Sequence, residues 1–283
     1  MAIRIVTDST AYLSPEYIAE HHIRVASLKV VFGDRAYKES VELTNSEFLR
    51  LLKTATRLPT TSQPAVGEFL DIYRDLAAQG HEIISIHLAG HLSGTLASAR
   101  SAAAALPEAR IHVVDSTVTA LAMEMMIRRA VTAIEAGRDI EYILSGLDLM
   151  VRDLKLFFVV DTLEYLEKGG RIGGARALLG TLLKIKPILR LHRGEVEAFA
   201  SVRTKRKAVA ALIDHLVTLA GGQRVYAVVA HADAPEEMHE LARLACERLE
   251  CVDLFTAEIG PVITTHTGPG VLGVAICPVD SAP

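Results

Sequence analysis

The chain has 283 residues, of which 50% are hydrophobic and 23% are charged, and its formal net charge is -4. This composition excludes a disordered chain, and the length allows one or two domains with a substantial core. The slight acidic excess argues against nucleic-acid and anionic-membrane binding, which usually require a surplus of Lys and Arg. Three cysteines without a CxxC pair indicate reduced thiols.

The N-terminal stretch MAIRIVTDST predicts a strand and a turn, without the basic and apolar regions of a signal peptide. The apolar runs elsewhere are far too short to cross a bilayer. We therefore expect a cytoplasmic protein without stable membrane insertion.

The first half of the chain alternates strands with helices. In chain order the predicted elements are a strand in IRIVTDST, a helix in SPEYIAEHH, a strand in IRVASLKVVFG, helices in TNSEFLRLLKTA and VGEFLDIYRDLAAQG, a strand in HEIISIHLA, a helix in TLASARSAAAAL, a strand in ARIHVVDS and a helix over 119–137. Ser14 and Thr44 are predicted N-caps, and RLPTTSQPA is predicted to be a polar link. This alternation predicts a parallel sheet with right-handed crossovers, hence a layered α/β domain.

The second half contains a predicted hairpin. Its predicted elements are a strand and a short helix in LKLFFVVDTLEYLEKGGRIGG, a helix and two strands in ARALLGTLLKIKPILRLHRGEVEAFASVRT, a helix in KRKAVAALIDHLVTLAG, a strand in RVYAVVAH, a helix in APEEMHELARLACERL and strands in DLFTAEIG and GVLGVAICP. The turn at Arg193–Gly194 favours antiparallel pairing and so a mixed sheet. We place the domain boundary near Met150, which gives domains over residues 1–150 and 151–283.

Gly268, Gly270 and Gly273 satisfy the GxGxxG pattern of dinucleotide-binding turns. That reading requires a helix opening on the third glycine and an acidic residue about 20 positions later. Here a β-type run and Pro278 follow instead, and the chain ends ten residues after Gly273. The sequence also lacks a P-loop, a GxSxG elbow and an HExxH motif. We expect neither a cofactor nor a metal.

Five clusters of small hydroxyl residues lie at predicted strand ends: TDST, TTSQP, LSGT, VDS and THTG. Ligands of open α/β sheets bind beyond the carboxyl ends of the strands. Hydroxyls and backbone N–H groups at helix starts there suit a small anion such as a carboxylate or a phosphate. Alternatively, each cluster caps the helix that follows it. The residues alone leave both interpretations open.

In their order and spacing these motifs resemble the DegV family, the fatty-acid-binding subunits of bacterial fatty acid kinase systems. The matching stretches run nearly end to end: VTDSTAYLSPE, LPTTSQPAVGEF, HLSGTLASA, FVVDTLEYLEKGGRI with LLGTLLKIKPIL, and THTGPGVLGVA. The resemblance implies a three-layer α/β/α domain with a parallel sheet, followed by a two-layer α/β domain with a mixed sheet. It also implies a ligand cleft between the two domains.

The resemblance implies a lipid carrier without catalytic residues of its own. Such a protein holds a long-chain fatty acid with the chain buried and the carboxylate at the mouth. It presents the acid to a separate ATP-dependent kinase, which forms the acyl phosphate. Burial of the chain is favourable by about 0.8 kcal/mol per methylene. The carboxylate, by contrast, is costly to bury unless several donors meet it.

Carried onto this sequence, the resemblance implies a ligand-binding set of hydroxyl, backbone N–H, imidazole and guanidinium donors: Thr61, Ser62, Ser93, Gly94, Thr95, His266 and Arg171. Ser93 has an alternative role as a helix cap, and His266 as an ordinary histidine at a strand end. Arg171 could instead pair with Asp161 or Glu164, or contact the kinase partner. A basic patch for the kinase would comprise Lys168, Arg203, Lys205 and Arg206. The alternative for this patch is a solvated helix start, where basic residues oppose the helix dipole.

The sequence departs from the common family pattern at His87 and His91, which precede the LSGT motif, and in a methionine-rich helix with Met123, Met125 and Met126. The methionines either line the acyl tunnel or pack in the core. Two other functions stay open. One is an acyl ester hydrolase that uses Ser93 and His266, with Asp8 or Asp115 as the acidic partner. The other is a dihydroxyacetone-type small-molecule binder.

Overall fold

The computed structural model of the chain describes residues 2–180 and 185–283. Part of the helix predicted in ARALLGTLL lies outside the described residues. The strands are β1 (Ile3–Asp8), β2 (Arg24–Ala26), β3 (Lys29–Phe32), β4 (Arg35–Lys38), β5 (Thr60–Ser62), β6 (Glu82–His87), β7 (Ile111–Asp115), β8 (Lys155–Val159), β9 (Lys186–His192), β10 (Glu195–Val202), β11 (Arg224–His231), β12 (Glu250–Glu258) and β13 (Leu272–Pro278).

The α-helices are α1 (Pro15–Glu20), α2 (Asn45–Thr54), α3 (Val66–Ala78), α4 (Thr95–Ala104), α5 (Leu121–Glu135), α6 (Ile140–Asp153), α7 (Glu164–Lys168), α8 (Lys205–Ala220), α9 (Pro235–Arg248) and α10 (Pro261–Thr267). Short 3-10 helices cover Ser9–Ala11, Gly173–Leu178 and Val279–Ser281. The predicted N-caps are confirmed, because Oγ of Ser14 and Oγ1 of Thr44 accept backbone N–H bonds from the first turns of α1 and α2.

The first half forms a parallel sheet in the order β2-β1-β6-β7. Its side chains alternate between two helical layers. Ile83 packs on the face covered by α3 and α4, and Ile84 packs on the face covered by α5. The predicted three-layer α/β/α arrangement is therefore confirmed.

A small antiparallel sheet, in the order β4-β3-β5, was not predicted. The stretch 23–33, predicted as one strand, divides into β2 in the parallel sheet and β3 in the small sheet. The chain turns between them, where the N–H of Leu28 donates to Oγ of Ser9. The stretch predicted as a polar link contains β5, whose Thr61 pairs with Val30. In the small sheet, β3 pairs with β4, which follows it directly in the chain, and with β5, which is distant in sequence.

The second half forms a mixed sheet in the order β10-β9-β8-β13-β11-β12. Only β11 and β12 pair in parallel among its described neighbours. The predicted hairpin is confirmed, with His192 opposite Glu195. Helices α8 and α9 cover one face, and α5 lies against the other face at β11 and β13. The predicted mixed-sheet α/β arrangement is confirmed.

Helix α5 contacts both large sheets, at β1 and β6 on one side and at β11 and β13 on the other. Met123, Met125 and Met126 are buried in the core around α5. Core packing was one of the two predicted alternatives for them. The predicted boundary near Met150 falls inside α6, a helix the sequence analysis did not include. That boundary stays a prediction.

The THTG cluster lies on a helix rather than at a strand end. Helix α10 starts at Pro261 and ends before Gly268, whose φ of 77° is in the left-handed region. The hydroxyls of Thr264, Thr265 and Thr267 donate backward to carbonyls of the preceding turn. These bonds satisfy polar groups that would otherwise be buried without partners.

Candidate functional site

A cavity lies beyond the carboxyl end of β6, where Leu88, Leu92 and Ser93 line it. In the parallel sheet, β2 lies on one side of β1, and β6, which comes later in the chain, lies on the other. The strand order therefore reverses between β1 and β6. Such a point is the usual ligand site of an open α/β sheet. The cavity holds about 780 Å³ of space between atoms, a figure that includes open solvent at its mouth.

The cavity wall is mainly apolar and draws on the mixed sheet, on β5 of the small sheet and on the segments that follow β6 and β7. Its apolar and glycine members are Leu28, Leu88, Leu92, Ala120, Leu121, Leu156, Phe158, Leu166, Leu191, Val196, Ile259, Val262, Ile263, Val271 and Gly273. Its polar members are Thr61, Ser93, Thr119, Arg171, His266 and Thr267. The wall therefore suits a long apolar ligand with one polar group.

His266 is held in a defined orientation on α10. Its Nε2 lies 2.8 Å from Oγ1 of Thr61 on β5. The other ring nitrogen, Nδ1, is buried and has no hydrogen-bond partner among the described residues. A side chain at Gly169 would collide with this nitrogen. A buried polar atom without a partner is rare in native structures, which makes this nitrogen a candidate hydrogen-bonding group for a ligand.

Burial lowers the pKa of His266 to about 4, and the nearby charge of Arg171 acts in the same direction. The imidazole is therefore neutral at neutral pH. With Nε2 bonded to Thr61, the tautomer that places the proton on Nδ1 offers a donor to an anionic ligand.

The guanidinium of Arg171 lies beside this histidine without an acidic partner among the described residues. Its Nε donates to the carbonyl of Leu92 at 3.0 Å, and one terminal nitrogen donates to the carbonyl of Gly169 at 2.8 Å. The two acids considered as partners are bonded elsewhere, Asp161 to Lys186 and Glu164 to Lys168. A half-buried cation without a counter-charge favours an anionic ligand.

Ser93 lines the cavity and bonds to the first residue of α4, whose N-cap is Gly94. Its Oγ accepts from the N–H of Thr95 at 3.3 Å and lies 2.9 Å from Oγ1 of that residue. A Cβ at Gly94 would collide with the side chain of Gln63, which donates to Ser98. The sequence analysis gave Gln63 no role, although it stands inside the TTSQP motif.

The structure brings together Thr61, Ser93, Arg171 and His266 on the cavity wall. Ser62 is exposed and lies off the wall, because side chains alternate along β5. Gly94 and Thr95 also lie off the wall, at the start of α4. Thr267, a member of the predicted THTG cluster, also lies on the wall, and Thr119 is a wall residue that was not predicted.

The residues of the hydrolase alternative are not assembled. Ser93 bonds to Thr95, and His266 bonds to Thr61. The carboxylate of Asp8 bonds to His87 in the core, whereas that of Asp115 accepts from the N–H groups of Gly90 and Thr117. Among the described residues, no base is hydrogen-bonded to the serine hydroxyl.

The two histidines outside the family pattern lie away from the polar cluster. His87 is fully buried between Asp8 and Ser85, at 3.1 and 2.7 Å. His91 is exposed and lies 3.3 Å from Glu195. Neither lines the cavity.

The residues of the predicted basic patch are close to acidic side chains or exposed. Lys168 pairs with Glu164 at 2.6 Å, and Lys205 lies between Asp161 and Glu237 at 3.8 and 3.6 Å. Arg203 and Arg206 are exposed. Among the described residues, no His, Cys, Asp or Glu group could hold a metal ion, and no helix is long and apolar enough to span a membrane.

Lowering the pH is expected to destabilise the protein through His266. Its pKa falls from 6.5 to about 4 on folding, so the unfolded chain binds more protons between these values. The contribution of this pKa shift to the free energy of unfolding is complete above pH 6.5 and is lost progressively as the pH falls from 6.5 through 4. Urea unfolding should show a loss of about 2 kcal/mol by about pH 5 relative to a His266→Asn variant. Parallel pH profiles for the two proteins would contradict this expectation.

Comparison with known proteins identifies the family. The family model described as "Uncharacterised protein, DegV family" matches residues 2–279. A DegV domain-containing protein of Deinococcus radiodurans is 38% identical, over 99% of this chain and 100% of the relative. A solved structure from Thermus thermophilus, described as fatty acid binding of a DegV family protein, has 35% identity and a TM-score of 0.94, over 99% of this chain and 100% of that one. A fatty acid (stearic acid)-binding protein from Eubacterium ventriosum has 27% identity and a TM-score of 0.90, over 98% of each chain. The chain belongs to the DegV family.

Proposed function

We propose that this chain binds a long-chain fatty acid, with the acyl chain in the cavity and the carboxylate at Thr61, Ser93, Arg171 and His266. The observation that carries the proposal is an apolar cavity with one polar cluster, in which a cation has no acidic partner among the described residues. Each buried methylene contributes about 0.8 kcal/mol, so the apolar wall supplies most of the affinity. The relatives described as fatty acid binders support the same ligand class.

Each of the four polar residues has a different role in binding the carboxylate. Arg171 supplies charge, and its remaining N–H groups form charge-assisted bonds. His266 donates from Nδ1, and Thr61 fixes its ring through Nε2. The hydroxyl of Ser93 is a further donor. Together they replace the water that the carboxylate loses on burial.

The bound acid is presented to a separate ATP-dependent kinase, which transfers phosphate to the carboxylate to form an acyl phosphate. The exposed Arg203 and Arg206, with Lys168 and Lys205, form the docking patch for an acidic surface of that kinase. This assignment places the protein in the cytoplasm, where ATP is available. Its three free cysteines are consistent with a reducing compartment.

Solvent extraction and mass spectrometry of the freshly purified protein test the proposal directly. We expect a long-chain fatty acid in the extract, and saturable binding of added acid after its removal. The methyl ester of the same acid is the matched ligand, because it keeps the chain and lacks the charge. Tight binding of the acid with at least tenfold weaker binding of the ester is the expected result.

Absence of any fatty acid in the extract, together with no binding of added acid, would refute the proposal. Turnover of acyl esters that is abolished by Ser93→Ala would favour the hydrolase instead, and binding of dihydroxyacetone would favour the small-molecule alternative. With ATP and a bacterial fatty acid kinase present, acyl phosphate should appear only when this chain and the acid are both added.

A further inference from the structure

The carboxylate of Glu39 is fully buried against the first turn of α10. Its Oε1 accepts from the backbone N–H of Val262 at 2.7 Å and from the hydroxyl of Tyr12 at 3.1 Å. Its Oε2 accepts from the hydroxyl of Ser9 at 2.6 Å. The Glu39 carboxylate thus joins its own segment to two others that are distant in sequence, residues 9–12 and the first turn of α10.

Tyr12 holds the same helix turn from a second direction. Its Oη accepts from the N–H of Ile263 at 3.2 Å, and its ring lies so close to Gly260 that a Cβ there would collide with it. The backbone of Tyr12 has a φ of 52°, a conformation that bulky residues rarely adopt. Such a conformation persists only where the surroundings fix it. The contacts with Glu39 and α10 provide that constraint.

The helix turn that Glu39 and Tyr12 hold contributes residues to the cavity wall. Val262 and Ile263 line the cavity, and His266 follows them by one helical turn on the same face. The small sheet β4-β3-β5 fixes both ends of α10. Glu39 follows β4 and holds the first turn, whereas Thr61 on β5 contacts His266 near the last.

We propose that Glu39, through Tyr12 and the first turn of α10, is the positioning residue that aims His266 at the ligand carboxylate. The inference rests on the proposed function for the identity of the ligand, but the orientation of His266 is measurable without one. Glu39 lies off the cavity wall, so its effect on binding passes through the helix. A displacement of about 1 Å at the first turn of α10 would move the imidazole of His266 away from Thr61.

The variants separate positioning from general damage to the fold. Glu39→Leu removes the acceptors, whereas Glu39→Gln keeps an oxygen for Val262. Tyr12→Phe removes only the hydroxyl between Glu39 and Ile263. Tyr73→Phe is its control, because Tyr73 is fully buried and its hydroxyl bonds to Ser85, outside α10. Glu42→Gln is the control within the same loop, where Glu42 is exposed.

Two measurements decide the inference. The first is the ¹⁵N-imidazole NMR signal of His266 in the ligand-free protein, assigned by its absence in His266→Ala. It should shift in Glu39→Leu and Tyr12→Phe but not in the two controls. The second is fatty acid affinity, which should fall by about tenfold in Glu39→Leu and by about threefold in Tyr12→Phe. Binding of the methyl ester should change by less than about twofold, and Glu39→Gln should restore most of the affinity.

A double-mutant cycle completes the test. In a His266→Ala background, Tyr12→Phe should cause no further loss of affinity, since both changes act on one group. An unmoved His266 signal with unchanged affinity would overturn the inference, as would fully additive losses. If Glu39→Leu fails to fold, Tyr12→Phe supplies both measurements. If the wild-type protein binds no fatty acid, the proposed function fails, and the ligand-free NMR signal alone decides the role of Glu39.

Discussion

Replacing Asp8 by alanine is expected to destabilise the folded protein by about 3–5 kcal/mol. The carboxylate is fully buried at the end of the central strand β1. One oxygen accepts from the N–H and hydroxyl of Thr10, and the other accepts from the N–H of Leu88 and contacts Nδ1 of His87 at 3.1 Å. The substitution leaves these donors buried and unpaired, which is more costly than the loss of the bonds themselves.

Urea unfolding measures this difference. The matched control is Asp71→Ala, because Asp71 is exposed on α3 and should change stability by less than about 0.5 kcal/mol. A loss for Asp8→Ala no larger than the control would show that the buried network adds little to the fold. The network also joins β1 to the segment after β6, which leads to Ser93, so Asp8→Ala should loosen the cavity mouth as well.

Replacing Arg171 by methionine is expected to weaken fatty acid binding by about a hundredfold, equivalent to about 2.7 kcal/mol. Among the described residues, Arg171 is the one cation on the cavity wall. Methionine keeps much of the side-chain length and packing while removing the charge and the donors. The carboxylate then enters a partly buried site with only neutral donors, so the lost affinity should be specific for the acid.

Titration with the fatty acid and its methyl ester gives the measurement. The ester should bind the variant and the wild-type protein within about twofold, because its chain contacts are unchanged. Arg176→Met is the matched control, since Arg176 is exposed in the neighbouring 3-10 helix. Equal losses for acid and ester would indicate that the substitution damages the cavity rather than the charge, and would remove Arg171 from the carboxylate site.

The regular elements could be predicted because their periodicity is local. Helix α6 was missed although its signals are present, with Asp139 as N-cap and Ile143, Leu147 and Met150 on one buried face. The division between β2 and β3 could not be predicted from one apolar run, because β2 pairs with β1 in one sheet whereas β3 pairs with β4 and β5 in another. The helix that contains most of the THTG segment is bonded at its first turn to Glu39, a residue 223 positions earlier in the chain.

In the candidate site, too, some residues could be predicted from sequence motifs and others only from the folded structure. Ser93 and Arg171 stand in motifs that the family resemblance carries, and the structure places both on the cavity wall. The bond between Thr61 and His266 joins residues 205 positions apart, which no spacing rule predicts. Glu39 lies in a polar stretch that gives no sign of burial. Its role follows from the topology alone, since the sheet that contains β4 and β5 meets α10 only in the folded chain.

The position of α5 between the two large sheets has a consequence for any attempt to separate the halves of the protein. Leu121 approaches Gly273 on the mixed sheet, and Arg129 stacks on the ring of Tyr226, 4.3 Å from its centroid. A fragment ending near residue 150 would expose this helix surface to water at about 1.5–3 kcal/mol for each large apolar side chain. The two halves therefore stabilise each other, and the protein should unfold in one cooperative transition rather than as two independent modules.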